Sequence, residues 1–364
     1  MKNIIKTLIV MLTSISLFGS ANAGELSVSG TAKATYNIIS GNNSNVGKGL
    51  GITNELNFTA SGELDNGYTW SYSMELDPAD GSGSGAANND DTKITLSTPY
   101  GTVGMFILEG GLDAEDAASQ SVYARPTDTT DPSSGTYDNY SIDAYNNLQY
   151  HTPAGLLPFG ISGKVAYSPS SDTGKNSGNS AGSENAATDG QSVAQYQVSA
   201  TPIDGLTVAA SYLSKDGESG VRGYEQGGAY AKYAIGSVTV GYGEHYVQNN
   251  GAQASLGTGD IVNTAAIAAT VKSFENKMMS IGFAINDSLS VSYENEKSDA
   301  QKRTVVTTSR THTKANVELD VTTLQAAYTM GGMTLSISQK DIENADYVLN
   351  KDEKETLFAV SMAF

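Results

Sequence analysis

The segment from Thr356 to Phe364 alternates without a break. Phe358, Val360, Met362 and Phe364 take every second position, and Leu357, Ala359, Ser361 and Ala363 fill the gaps with smaller groups. A β-strand sends successive side chains to opposite faces, so the segment has one broad apolar face and one small, partly polar face. It runs to the last residue and ends on an aromatic. A terminus frays unless it is tied into a sheet. The pattern therefore predicts an amphipathic strand that forms the last stave of a closed barrel, where closure leaves no unpaired edge.

The same period of two recurs along the chain and predicts sixteen strands, the first near 25–38 and the last near 354–364. The clearest runs from Tyr68 to Leu76, with Tyr68, Trp70, Tyr72, Met74 and Leu76 on one side and Thr69, Ser71, Ser73 and Glu75 on the other. In the fourteenth, near 317–329, the phase slips between Val321 and Leu324, which reads as a β-bulge. Connections alternate in length. Tight turns at Asp65-Asn66-Gly67, Pro99-Tyr100-Gly101, Ile235-Gly236, Asn286-Asp287 and Met330-Gly331-Gly332 are separated by long polar stretches such as 110–143 and 247–275. Gly and Asn supply the positive φ that tight hairpins need. Alternating short and long connections suit an up-and-down transmembrane barrel, one rim in a confined compartment and the other outside. Tyr36, Tyr150, Tyr167, Tyr212, Tyr246 and Tyr328 fall near strand ends, as aromatic girdles do. A solenoid would show a fixed repeat, and a sandwich has no need of girdles.

Residues 1–23 read as an export signal. Lys2 and Lys6 open it, Ile4 to Phe18 is mainly apolar, and Ala21-Asn22-Ala23 fits a cleavage site, leaving 24–364 as the barrel. The chain has no cysteine, which excludes disulfides and thiolate metal sites. Its formal charge of -18 makes nucleic acid and anionic surfaces poor partners.

With these features the chain resembles the general outer-membrane porins of Gram-negative bacteria, most closely the sixteen-stranded alphaproteobacterial type. The leader, the opening strand Glu25-Leu-Ser-Val-Ser-Gly30, the strand count and the terminal Phe364 carry the resemblance over the whole mature chain. The Pro-Glu-Phe-Gly-Gly element of enterobacterial porins is absent, and Glu109-Gly110-Gly111 is a partial echo of it. The resemblance implies a homotrimer in the outer membrane, recognition of Phe364 by the barrel-assembly machinery, and an inward fold of the third loop that narrows the bore.

That third loop spans roughly 109–143. It carries Glu109, Asp113, Glu115, Asp116, Asp128, Asp131, Asp138 and Asp143 against Arg125 alone. Strand parity directs Lys33, Lys93, Lys164 and Lys340 into the bore, together with Glu55, Glu75, Glu294, Glu318 and Asp320. Loop carboxylates facing wall lysines would set up a transverse field that orients water and dipolar solutes. The expected function is passive diffusion of small hydrophilic solutes and ions, with a weak preference for cations. Alternatives are a substrate-specific channel and a surface barrel that transports nothing. No cofactor is implied. Calcium could sit among the acids, but neither Asp113-Ala-Glu115-Asp116 nor Asp77-Pro-Ala-Asp80-Gly81 has the EF-hand pattern, and solvated acids are the plainer account. His151, His245 and His312 lack metal-ligand spacing and are expected at the rim or in solvent, and no nucleophile elbow is present, so no catalytic or metal site is predicted.

Overall fold

The computed structural model describes residues 26–42, 46–77, 88–127, 141–169, 191–217, 223–248, 271–302 and 317–364. Sixteen strands follow one another: β1 (Leu26–Gly41), β2 (Gly47–Glu63), β3 (Thr69–Asp77), β4 (Asn88–Thr98), β5 (Gly101–Ile107), β6 (Asn147–His151), β7 (Ser162–Ser168) and β8 (Val193–Ile203). The second half comprises β9 (Leu206–Lys215), β10 (Tyr224–Ile235), β11 (Val238–Gln248), β12 (Val271–Ala284), β13 (Leu289–Lys302), β14 (Val317–Met330), β15 (Met333–Glu343) and β16 (Glu353–Ala363). Each pairs antiparallel with its chain neighbours, and β16 returns to β1, so the sheet closes on itself. Phe364 completes the seam: the Gly30 amide donates to its carbonyl at 2.7 Å and its own amide donates to Gly30 at 3.0 Å. Closure leaves no strand edge for lipid to strip of hydrogen bonds.

The predicted tight turns all lie on one rim. One connection there is longer: residues 152–161 join β6 to β7 through a 3-10 turn at Pro158–Gly160. The opposite rim carries eight loops, of which the third (108–146) and the eighth (344–352) matter most below.

Over the half of each strand nearest the short turns, the alternation works as expected. On β16, Phe358 and Met362 expose 45% and 48% of their surface on the outside, while Ala359 between them is buried. Leu335 and Ile337 on β15, Leu324 and Tyr328 on β14 and Ile281 and Met279 on β12 continue the same outer apolar band. Such a band is solvated by lipid and a polar bore by water.

Toward the loop rim the two faces exchange character. On β14, Val317, Leu319 and Val321 are buried on the inner face, while Glu318 and Asp320 point outward. Their registry with β13 and β15 is continuous, so the anticipated bulge between Val321 and Leu324 does not exist. Two consequences correct the parity reading: Glu318 and Asp320 do not face the bore, and Lys297 joins them outside, 2.7 Å from Glu318 and 2.8 Å from Asp320. On the inside, Val247, Phe274, Ala300, Val317, Leu319, Val321 and Ile342 pack with Ala345 and Tyr347 of the eighth loop and with Leu112, Ile142 and Tyr145 of the third. Here the wall has the arrangement of a water-soluble sheet, with charge outside and a hydrophobic core inside. The strands therefore rise above the lipid band and are closed from within by loop segments.

Candidate functional site: the loop-lined bore

The third loop lies along the inner wall, crossing from β8 to β14. Its hold comes from inward polar side chains that meet the loop backbone. Gln197 on β8 donates to the Leu112 carbonyl at 3.1 Å, and the Ala114 amide donates to Ser211 Oγ on β9 at 3.1 Å. Ser280 on β12 donates to the Ala118 carbonyl at 2.6 Å. The Val122 amide reaches Ser292 on β13, and the Tyr123 amide and Ala124 carbonyl are clasped by the Gln325 amide on β14. A loop inside a barrel must find partners for its own N–H and C=O groups, and this wall provides them one strand at a time.

Glycines make the seat. A Cβ at Gly241 on β11 would overlap the Ala118 carbonyl, and one at Gly228 on β10 would overlap the Glu115 carboxylate. At Gly243 it would stand 3.1 Å from the Ala118 Cβ, and at Gly282 on β12 3.1 Å from the Gln120 carbonyl. The 3-10 turn Glu115–Ala118 settles into this bare strip.

Acids anchor the rest. Asp113 accepts hydrogen bonds from Gln195 (2.8 Å) and Gln226 (3.0 Å). Burial, reinforced by Asp116 and Asp143 and opposed by Ser141, pushes its pKa up to about 6. Glu115 is almost wholly buried, 3.3 Å from His245 Nδ1 on β11. Burial first, then the charges of Asp113 and Asp116, raise Glu115 to about 8, against which Arg125 acts only weakly. Ser119 and Ser121 both donate to Glu294 on β13, at 2.6 and 2.9 Å.

Arg125 is buried and spends its guanidinium on a two-pronged pair with Glu296, 2.9 Å at the closest, and on an ion pair with Asp116. A fork of this kind fits a carboxylate and fixes orientation. Thr127 donates to the same Glu296 at 2.8 Å. Asp116 keeps 54% of its side chain exposed and faces the bore.

Across the bore stand β15, β16 and β1 to β4. Lys33 sits with its ammonium 5.6 Å from the centre of the Tyr123 ring, so the loop touches this wall at its far end. Burial and the Glu355 carboxylate raise the Tyr123 phenol. Lys340 pairs with Glu355 at 3.2 Å, and Lys93 with Glu109 at the root of the loop. Glu55 and Glu75 share the inner face of β2 and β3, and Lys164 on β7 lies opposite His151. Asp128, Asp131 and Asp138 lie outside the described residues, as do the leader, Asp80 and His312.

Two readings change. His245, expected at the rim, is buried behind the third loop. Arg125, read from the sequence only as the lone base of an acidic loop, is a buried strut between Glu296 and Asp116. The docking residues Gln195, Gln197, Ser211, Gln226, Ser280, Ser292, Glu296 and Gln325 had not been singled out. Their signal was available as polar groups of the inner parity concentrated on β8 to β14. Among the described residues, no group of three or more His, Cys, Asp or Glu could hold a metal ion.

A closed antiparallel barrel of sixteen strands, apolar outside and polar within, with one loop laid into its bore, is a porin-type transmembrane barrel. The chain belongs to the Gram-negative porin family, whose model matches residues 9–305. No curated protein gives a match. Among solved structures it is similar to Salmonella typhi OmpF in complex with daunomycin, with a TM-score of 0.65 and 13% identity over 94% of this chain and 98% of that one. Similar too are a loop L8 deletion mutant of the Vibrio cholerae outer membrane protein OmpT (0.60, 13%, 94% and 100%) and a mutant of the Rh. blastica porin (0.59, 13%, 93% and 100%). At such identities the likeness speaks for the fold. The protein is an outer-membrane barrel whose fold is consistent with passive diffusion through an aqueous channel.

Proposed function

We propose that this porin passes small hydrophilic solutes and ions through an opening between the third loop and the wall formed by β16 and β1 to β4, with a weak preference for cations. The observation that carries the proposal is the withdrawal of Arg125. The loop's one basic residue is buried between two carboxylates, Glu296 and the half-exposed Asp116, so its charge is more than offset. Three inward lysines are matched as well: Lys340 by Glu355, Lys93 by Glu109, and Lys33 by the face of Tyr123. A bore whose surplus charge is acidic raises the local concentration of positive ions.

The reading extends to assembly. The leader 1–23 directs export, Phe364 is recognised during insertion, and the working form is a homotrimer. Purified protein in planar bilayers under a salt gradient should give a reversal potential on the cation side. Clear anion preference would overturn the reading. Current that is blocked saturably by one solute would point instead to a substrate-specific channel, and absence of current to a surface barrel that transports nothing.

A further inference from the structure

Behind the third loop, a single row of polar side chains crosses three adjacent strands. It begins at Glu115, 3.3 Å from His245 Nδ1 on β11. Asn276 Nδ2 on β12 approaches the same nitrogen at 3.4 Å. Ser298 Oγ on β13 donates to Asn276 Oδ1 and lies 2.6 Å from the Tyr347 hydroxyl. His245, Asn276 and Ser298 are direct register partners, and all three are buried. The row ends on the eighth loop, because Tyr347 belongs to the connection between β15 and β16. That residue is firmly held. Its backbone is left-handed at φ 58, and its ring lies tilted against Phe274 with centroids 5.4 Å apart.

The direction of the hydrogen bonds follows from the donors. Ser298 gives its one proton to Asn276, so it accepts from Tyr347. Asn276 then offers its amide to His245 Nδ1, which leaves that nitrogen an acceptor. Nδ1 has a single lone pair, which the Asn276 amide at 3.4 Å and a protonated Glu115 carboxyl at 3.3 Å must share, whereas an ionised carboxylate there would be repelled.

We infer that Tyr347 and His245 are positioning residues for the opening: through this row the eighth loop fixes where Glu115, and with it the turn Glu115–Ala118, rests on the wall. The inference depends on the reading that the third loop narrows the bore. Burial holds Glu115 protonated up to about pH 8, in keeping with the acceptor opposite it. The charged and titratable groups of the loop and of the inner faces around Glu115 are Asp113, Asp116 and Arg125 of the loop, Lys215 on β9, Tyr230 and Lys232 on β10, His245 on β11, and Glu294 and Glu296 on β13. On β12 the inner face presents Asn276 and Ser280, which do not titrate.

The chain's lack of cysteine permits a direct test. Ala117 is exposed at the tip of the turn, so Ala117→Cys places one thiol where loop position can be read from its modification rate in reconstituted vesicles. Tyr347→Phe removes one hydroxyl and keeps the ring against Phe274. It should raise the rate about five-fold, as loss of one hydrogen bond predicts. Ser298→Ala should do the same, and His245→Ala combined with Tyr347→Phe should add little to either alone. The pH at which the rate rises should move down in Tyr347→Phe, whereas a mere packing defect would raise the rate equally at every pH. Glu115→Gln, which cannot ionise, should remove the pH dependence above about pH 6 and leave the lower part that belongs to Asp113.

The inference is overturned if Tyr347→Phe and Ser298→Ala leave rate and pH profile unchanged while His245→Ala alters them. Single-channel conductance and sugar exclusion, recorded on the same variants, separate it from the reading on which it depends. If the thiol rate responds and both of these stay constant, the coupling stands and the third loop is not what limits the bore.

Discussion

β14 holds two environments in one continuous strand. From Leu324 to Met330 its apolar side chains face outward; from Val317 to Val321 they face inward, and Glu318 and Asp320 have taken the outside. The backbone does not break to achieve this, since the register with both neighbours runs through without a shift. What changes is the solvent. Lower down, oil lies outside and water inside; nearer the rim, water lies outside and packed loops fill the inside. A strand reports which face is apolar, and only the surroundings decide whether that face is the outer or the inner one.

If this contrast holds, substitutions of similar chemistry should behave differently at the two levels. The largest effect is expected at the packed rim: Phe274→Ala should cost about 3–5 kcal/mol, as for a large side chain in an ordinary core, measured by reversible urea unfolding from vesicles. A loss under about 1 kcal/mol would mean that the loops do not seal this end. Next comes the lipid band, where Phe358→Lys should cost about 2–4 kcal/mol near the midplane, while Glu318→Lys, outward but above the band, should cost about 0–1 kcal/mol. Equal costs at the two positions would erase the distinction.

A pH effect follows, local to the third loop. Docked Glu115 has a raised pKa, so between the ordinary 4.5 and about 8 the docked loop holds a proton that the released loop gives up. Docking is therefore fully supported below that window and weakens as pH rises through it. Open-channel noise should grow between pH 5 and pH 8.5, and Glu115→Gln should flatten the curve. The smallest effect is expected at Lys297, whose partners Glu318 and Asp320 share the water outside: Lys297→Ala should change stability by about 1 kcal/mol or less in the same urea assay.

The barrel itself was legible because alternation, turn chemistry and the terminal aromatic all point the same way. The same alternation sets Lys33, Lys93, Lys164 and Lys340 opposite apolar neighbours, on the parity that faces the bore. Glu318 and Asp320 were misplaced because the parity rule assumes oil outside along the entire strand. His245 could not be read as buried, since its cover is a loop more than a hundred residues away in the chain, and nothing local announces that contact. The roles of Gly228, Gly241, Gly243 and Gly282 were hidden in the same way. Glycine in a strand marks close approach of something, but not of what.

Those four glycines carry a consequence for how the molecule comes into being. Their bare strip spans β10, β11 and β12, so it does not exist until these staves have zipped in register. The third loop can accordingly take its seat only once that part of the wall has formed. The finished aperture belongs to the last act of maturation, after the wall is already sealed against oil.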